Sequence, residues 1–387
     1  MLVAGEASGD ILAAEWVRAF RALPAVAAGP FPPEFFGAGG PRMAEAGVEV
    51  KLDLTRHAVV GLWEVVKHYP QIRQLFHQLL QLARERQPDI LVLVDYPGFN
   101  LRFARALQAY VRARPGPFHN WRPLLVYYVS PQLWAWHASR VHALARDVDL
   151  LLSIFPFEKD WYAARAPGLR VEFVGHPLTD RFGAPPRPAG VRPVAARPRV
   201  LLLPGSRERE LKRHLPVLLA AARIMEDRRP SSWRMVLPAE SLAAWVRPQV
   251  PPGLEVRAGD LAAALAEADL ALASSGTVTM ECAYFGVPTV VLYRTSFITY
   301  QIGRRLVKVK HIAMPNLLAG ETVYPELIQA AATPDALARE GLELIENPAR
   351  RTAVGAALDR VLASLGPPGA SQRAAEAVYA LAHRKKG

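Results

Sequence analysis

The chain has 387 residues and carries 47 Lys+Arg against 35 Asp+Glu, a formal net charge of +12. With 51% hydrophobic and 21% charged residues it has the balance of a folded globular protein; at roughly 150 residues per domain, two domains are expected. Its one cysteine, Cys282, excludes an internal disulfide framework and a multi-cysteine zinc site, and fits a reducing compartment.

No run approaches the roughly 18 apolar residues that a membrane-spanning helix needs. Residues 1–10 include Glu6 and Asp10 and no basic n-region, so a signal peptide is not expected. A cytoplasmic protein, at most resting on a membrane, is the expectation. The basic excess is nearly all arginine, which suits phosphate and carboxylate recognition. Charge alone leaves nucleic acid, anionic lipid and a nucleotide sugar open.

In chain order, residues 2–4 read as a clipped strand followed by a helix over about 9–22. Residues 90–94 (ILVLV), 124–129 and 150–154 read as fully buried strands, with helical periodicity between them, for example over 101–114. This alternation predicts a parallel sheet with helices on both faces. Residues 182–199 then break the pattern with five prolines (185, 186, 188, 193, 198) and two glycines, an interdomain linker. Alternation restarts with strands over 200–203, 234–237, 270–273 and 289–292, a long helix over about 207–227 and another beginning near Thr277. The tail from Pro334 is helical with a break at 366–369, and its last helix, about 370–387, is expected to complete the first domain. The boundaries are therefore 1–181, a linker at 182–198, and 199–369. Two doubly wound halves leave a cleft at the carboxyl ends of their strands, where such sheets bind ligands.

Four motifs stand at expected strand ends. GEASGD (5–10) offers small residues for close backbone approach, with Ser8 or Asp10 able to cap the next helix; a plain capped turn reads equally well. In DYPGFN (95–100), Asp95 is placed as a general base whose pKa partial burial would raise, with Asn100 able to cap the next helix; closure of a tight turn is the bland alternative. In LPGSR (203–207), Gly205 and Ser206 present N–H groups and Arg207 a fixed positive fork, a set suited to a diphosphate; a solvated first-turn arginine reads equally well. In SSGTVTME (274–281), Ser275, Gly276 and Thr277 open a helix whose N–H groups can hold a diphosphate, and Glu281 lies one turn on, able to accept from ribose hydroxyls.

A fifth segment spans 58–72. Val59, Leu62, Trp63, Val65, Val66, Tyr69 and Ile72 cover more of a helix than one core face needs, which marks either a lipid-binding surface or core. The ten histidines have no metal-ligand spacing, and there is no G-x-S-x-G or Walker A sequence. His57, His137 and His176 read as local hydrogen-bonding residues, and the aromatic run 127–136 as cleft wall or core.

Together and in this order, the motifs resemble the lipid-A-disaccharide synthases, inverting glycosyltransferases of the GT-B fold: α/β, with two Rossmann-like domains facing each other across a cleft. The matching blocks are VAGEASGD (3–10), GPRM (40–43), DYPGFN (95–100), YVSPQLWAW (128–136), PFEK (156–159), VGHP (174–177), LPGSR (203–207), SSGTVTMEC (274–282) and MPNLLAG (314–320). The resemblance implies that UDP-2,3-diacylglucosamine and 2,3-diacylglucosamine 1-phosphate give a β-1′,6-linked disaccharide 1-phosphate and UDP, with no metal and no cofactor. It makes Asp95 the base and Arg207 an arginine required for activity. Gly205, Ser206, Ser275, Gly276, Thr277, Glu281 and Asn316 become donor contacts, with Glu6, Ser8 and Gly9 lining the acceptor side of the cleft. It makes the segment around Trp63 a lipid patch on the inner membrane surface, so the expected location is cytoplasmic and peripheral to that membrane. Oligomeric state is left open. The chain begins Met-Leu-Val-Ala where the family has several more strand residues, so the first strand is expected to be short. The competing readings are another UDP-sugar enzyme of the same fold, such as a UDP-N-acetylglucosamine 2-epimerase, and a non-catalytic binder exploiting the positive charge. No nucleic-acid module is recognisable, so no nucleic-acid partner is expected.

Overall fold

A computed structural model describes residues 1–55, 62–114, 116, 118–183, 193–307 and 309–384, with side chains of the helix Leu62–Arg86 described from Pro70 onward. It divides into two compact units, Met1–Arg181 with Leu365–Gly387, and Phe182–Ser364. Half of the proline-rich stretch, residues 184–192, lies outside the described residues.

Among the described residues, unit 1 holds a seven-stranded parallel sheet. Its strands are β1 (Leu2–Ala4), β2 (Phe36–Gly39), β3 (Glu49–Asp53), β4 (Ile90–Val94), β5 (Leu124–Tyr128), β6 (Leu150–Ser153) and β7 (Val171–Phe173), in the order β3-β2-β1-β4-β5-β6-β7. The central strands are continuous apolar runs because helices cover both faces. Leu91, Leu93, Leu125, Tyr127 and Leu151 are fully buried with Leu79, Phe103 and Leu107 from the flanking helices. The helix Ala7–Ala22 buries Ala13, Ala14, Trp16, Val17 and Phe20. The last helix, Ala370–Arg384, packs on that helix and on β5 and β6. Its start is tied down by Asp180, whose carboxylate accepts from the N–H groups of Gly369, Ala370 and Ser371 at 2.6–3.0 Å.

Unit 2 holds a six-stranded parallel sheet among the described residues. Its strands are β8 (Arg199–Leu203), β9 (Ser232–Leu237), β10 (Leu254–Ala258), β11 (Leu270–Ser274), β12 (Thr289–Tyr293) and β13 (Glu326–Ile328), in the order β10-β9-β8-β11-β12-β13. The long helix Glu208–Arg228 follows β8 and packs against Pro334–Glu346. Each sheet is wound outward from its first strand in both directions, so each has one switch point, between β1 and β4 in unit 1 and between β8 and β11 in unit 2. Strand order reverses there, and ligands of such sheets bind at the carboxyl ends.

Five strands are additions to the sequence reading: β2, β3, β7, β10 and β13 lack a continuous apolar run. Strand β3 (Glu-Val-Lys-Leu-Asp) and β10 (Leu-Glu-Val-Arg-Ala) are edge strands with exposed charged residues. Among the described residues no helix is long and apolar enough to cross a membrane.

Candidate active site

All four strand-end motifs stand at the switch points of their sheets: GEASGD after β1 and DYPGFN after β4, LPGSR after β8 and SSGT after β11.

In unit 1 the turn after β4 is held in an unfavourable backbone shape. Asp95 and Tyr96 are consecutive non-glycine residues with φ of 48° and 50°, a left-handed conformation costing of order 1–3 kcal/mol each. Three hydrogen bonds hold it there. The Asp95 N–H donates to Tyr128 O at 2.8 Å, and Asp95 O accepts from Asn100 Nδ2 at 2.8 Å and from the Tyr127 hydroxyl at 2.7 Å. The Asp95 side chain is half-buried. Desolvation pushes its carboxyl up to about 6, and the negative charge of nearby Glu6 adds to the rise. A carboxyl group tuned this way is a competent general base near neutral pH.

Several roles expected at this end are corrected. Asp10 does not cap its own helix. It is buried and accepts from the N–H groups of Gly40, Arg42 and Met43 at 2.8–3.0 Å, so it binds the GPRM turn to the first helix. Ser8 likewise does not cap, for Glu6 precedes the helix and no side-chain cap bond forms. Asn100 is not a cap either. It is fully buried, and its amide also reaches Val3 O and Val94 O at 3.4 and 3.2 Å, stitching β1 to β4 at the switch point. Gly9 is buried facing Ala4 and Val94, so it packs the helix onto the sheet and does not line a ligand surface. Glu6 and Ser8 remain half-buried at the strand ends.

In unit 2, Arg207 is the extended residue just before the helix Glu208–Arg228, with its side chain 43% exposed. Beside it, Ser206 and Gly205 are accessible at the end of β8. His214, missed in the sequence, fixes this loop. Its ring is buried, with Nδ1 2.7 Å from Pro204 O and Nε2 accepting from the Arg294 N–H at 3.0 Å. Those two bonds define the neutral Nδ1–H tautomer, and burial lowers its pKa. Across the switch point, Gly276 and Thr277 are exposed before the short helix Val278–Tyr284, and a side chain on Gly276 would meet open space. Glu281 is half-buried one turn on. The Ser275 hydroxyl donates to Ile312 O at 3.2 Å, coupling this turn to the segment before MPNLLAG.

Asn316 is corrected from a donor contact to a brace. It is fully buried, its Nδ2 donates to Tyr324 O and Glu326 Oε1, and its Oδ1 accepts from the N–H groups of Val323 and Tyr324, all at 2.8–3.0 Å. Its amide is spent inside the loop. Glu326, also missed, accepts from the N–H groups of Ile312 and Ala313 and completes that brace.

Of the expected lipid segment, Val59 and the side chains of Leu62, Trp63, Val65, Val66 and Tyr69 lie outside the described residues. Ile72 is described, half-buried and packed against the core of unit 1. His57 is also outside the described residues. His176 is a local acceptor, taking the Leu178 N–H at 3.2 Å, with burial lowering its pKa to about 3. The run 127–136 divides: Tyr127 and Tyr128 are core, whereas Trp136 is 47% exposed. Among the described residues no cluster of His, Cys, Asp or Glu could hold a metal ion.

Two doubly wound parallel sheets of this kind place the chain in the GT-B fold class. The calicheamicin glycosyltransferase CalG4 matches with a TM-score of 0.57, covering 100% of this chain and 97% of its own at 17% identity. UDP-GlcNAc 2-epimerase from Neisseria meningitidis, solved bound to UDP-GlcNAc, matches with a TM-score of 0.58, covering 95% and 96% at 11% identity. Such identities speak to the fold alone. The family model of lipid-A-disaccharide synthetase matches residues 1–378. The lipid-A-disaccharide synthase of Syntrophus aciditrophicus (strain SB) is 39% identical over 398 residues, covering 100% of this chain and 98% of that one. The chain belongs to the lipid-A-disaccharide synthetase family.

Proposed function

We propose that the chain transfers 2,3-diacylglucosamine from UDP to the 6-hydroxyl of 2,3-diacylglucosamine 1-phosphate, with inversion, giving the disaccharide 1-phosphate and UDP. The observation that carries this reading is the desolvated, strain-held carboxyl of Asp95 at the switch point of unit 1, in a chain of this family. Inversion is a single displacement. Asp95 takes the proton of the acceptor hydroxyl as its oxygen bonds to the anomeric carbon. The bond from that carbon to the phosphate oxygen breaks, and its electron pair leaves with UDP. Negative charge then grows on the diphosphate, and unit 2 supplies its counterpart: Arg207, the Ser206 N–H, and the N–H groups at Gly276 and Thr277. Glu281 accepts from the ribose hydroxyls. Acylated substrates imply work at a membrane surface, peripherally and on the cytoplasmic side.

The epimerase reading is the weaker one, since its likeness stops at the fold. Purified protein given both acylated substrates should yield the disaccharide 1-phosphate and UDP in equal amounts. UDP release without acceptor consumption, or epimerisation of UDP-N-acetylglucosamine, would transfer the assignment to the rival.

A further inference from the structure

We propose that Glu210 is a resident counter-anion in the turn after β8, occupying the diphosphate's place until the donor displaces it. This rests on the reading above that Ser206 and Arg207 receive the diphosphate.

Glu210 is the third residue of the helix Glu208–Arg228. Its Oε2 accepts the Ser206 N–H at 2.9 Å, and its Oε1 lies 3.2 Å from Arg207 Nη1. It also lies over Gly205, where a Cβ would collide with both its carboxylate and its Cβ. One carboxylate thus engages two of the donors assigned to the diphosphate, and glycine is what lets it come so near. Arg207 has five N–H groups and can serve two anions. Ser206 has a single backbone N–H, so a carboxylate and a phosphate oxygen cannot both hold it, and like charges at that spacing repel. The donor therefore gains Ser206 only as Glu210 leaves.

Leaving is feasible. The Glu210 side chain is 24% exposed, and a carboxylate in the first helical turn stays favoured by the helix dipole after it swings outward. The loop itself does not depend on Glu210, because His214 anchors Pro204 and Arg294 independently. The consequence is an affinity threshold, set at the same height for every anion that takes this donor. A nucleoside diphosphate, anchored through its base and ribose, outcompetes the resident carboxylate; inorganic phosphate, with no other anchor, competes poorly.

Calorimetric titration of UDP and of inorganic phosphate into wild type, Glu210→Gln, Glu210→Ala and Arg207→Ala tests this. UDP should bind the Glu210 variants roughly threefold to tenfold tighter, Ala at least as much as Gln, the scale of one exposed charge-assisted hydrogen bond. Phosphate should gain by a similar factor, since both ligands carry the same displacement cost. The unliganded melting temperature should fall in the same variants, because a helix-start contact is lost. A merely structural glutamate would lower both affinity and melting temperature, so unchanged or weaker UDP binding in both Glu210 variants overturns the proposal. Unchanged UDP affinity in Arg207→Ala would instead remove the underlying cradle, a separate failure.

Discussion

The switch point of unit 1 and that of unit 2 occupy the same position in two similar sheets but are constructed in opposite ways. At the first, backbone strain at Asp95 and Tyr96 is held by Asn100, Tyr127 and Tyr128, and the product is a desolvated acid. At the second, Arg207 and Thr277 stand exposed on turns whose anchors, His214 and Glu326, lie behind them. The contrast follows from what each group must do. A carboxylate gains basicity by losing water, whereas donors that receive a multiply charged ligand must remain reachable until it arrives.

The sharpest way to break this contrast is Asp95→Asn. Turnover should fall by about 10²–10⁴-fold, the usual contribution of a general base, with UDP affinity preserved. The same variant should be more stable than wild type at pH 7. A carboxyl whose pKa rises from 3.8 to about 6 on folding binds protons more tightly when native, so it destabilises the fold as pH climbs through that window. Removing it should return about 2–3 kcal/mol at neutral pH and nothing below about pH 4, measurable by denaturation at the two pH values. In the wild type, kcat/KM should drop about tenfold per pH unit below about 6. A wild-type profile flat down to pH 5 would refute Asp95 as the base.

Next in size is Arg207→Ala, expected to weaken UDP binding and turnover together by roughly 10–100-fold, the range of a charged hydrogen bond. Asn100→Ala should cost about 2–3 kcal/mol of stability, since three buried carbonyls share its amide, and should lower kcat without changing UDP affinity. The smallest effect belongs to Tyr127→Phe. It deletes one donor to Asp95 O and should cost about 1 kcal/mol and a few-fold in kcat. A UDP affinity that moved in either of these last two would blur the division between the units.

The central strands were legible because burial on both faces writes them as uninterrupted Val, Leu and Ile runs. Strand β2, Phe-Gly-Ala-Gly, is equally buried yet has almost no apolar bulk, and β7 (Val-Glu-Phe) and β13 (Glu-Leu-Ile) each carry a glutamate in three residues, so no such signal exists for them. The motif positions and Asp95's raised basicity were accessible from strand ends and turn residues. The roles of Asp10, Asn100 and Asn316 were not. Asp10 and Asn100, short polar side chains near helix starts, read as local caps, and Asn316 as a donor contact, whereas these three bond backbone that lies far along the chain or wholly within a loop. Glu210 stands where a capping-box glutamate would, three residues after the helix boundary, and that spacing was the available clue. His214 had none, because its partners Pro204 and Arg294 meet only after β8 and β12 have joined their sheet.

The return of Ala370–Arg384 to unit 1 makes unit 2 an insertion within it. The inserted half is therefore synthesised in full before the segment that closes the outer half. Until then Asp180 has no amides to hold and Phe20 lacks the ring of Tyr379 that lies 6.4 Å away in the finished molecule. A chain cut just past Ser364 would thus carry the whole inserted body beside an unfinished outer one with an uncovered apolar helix face, a natural client for chaperones.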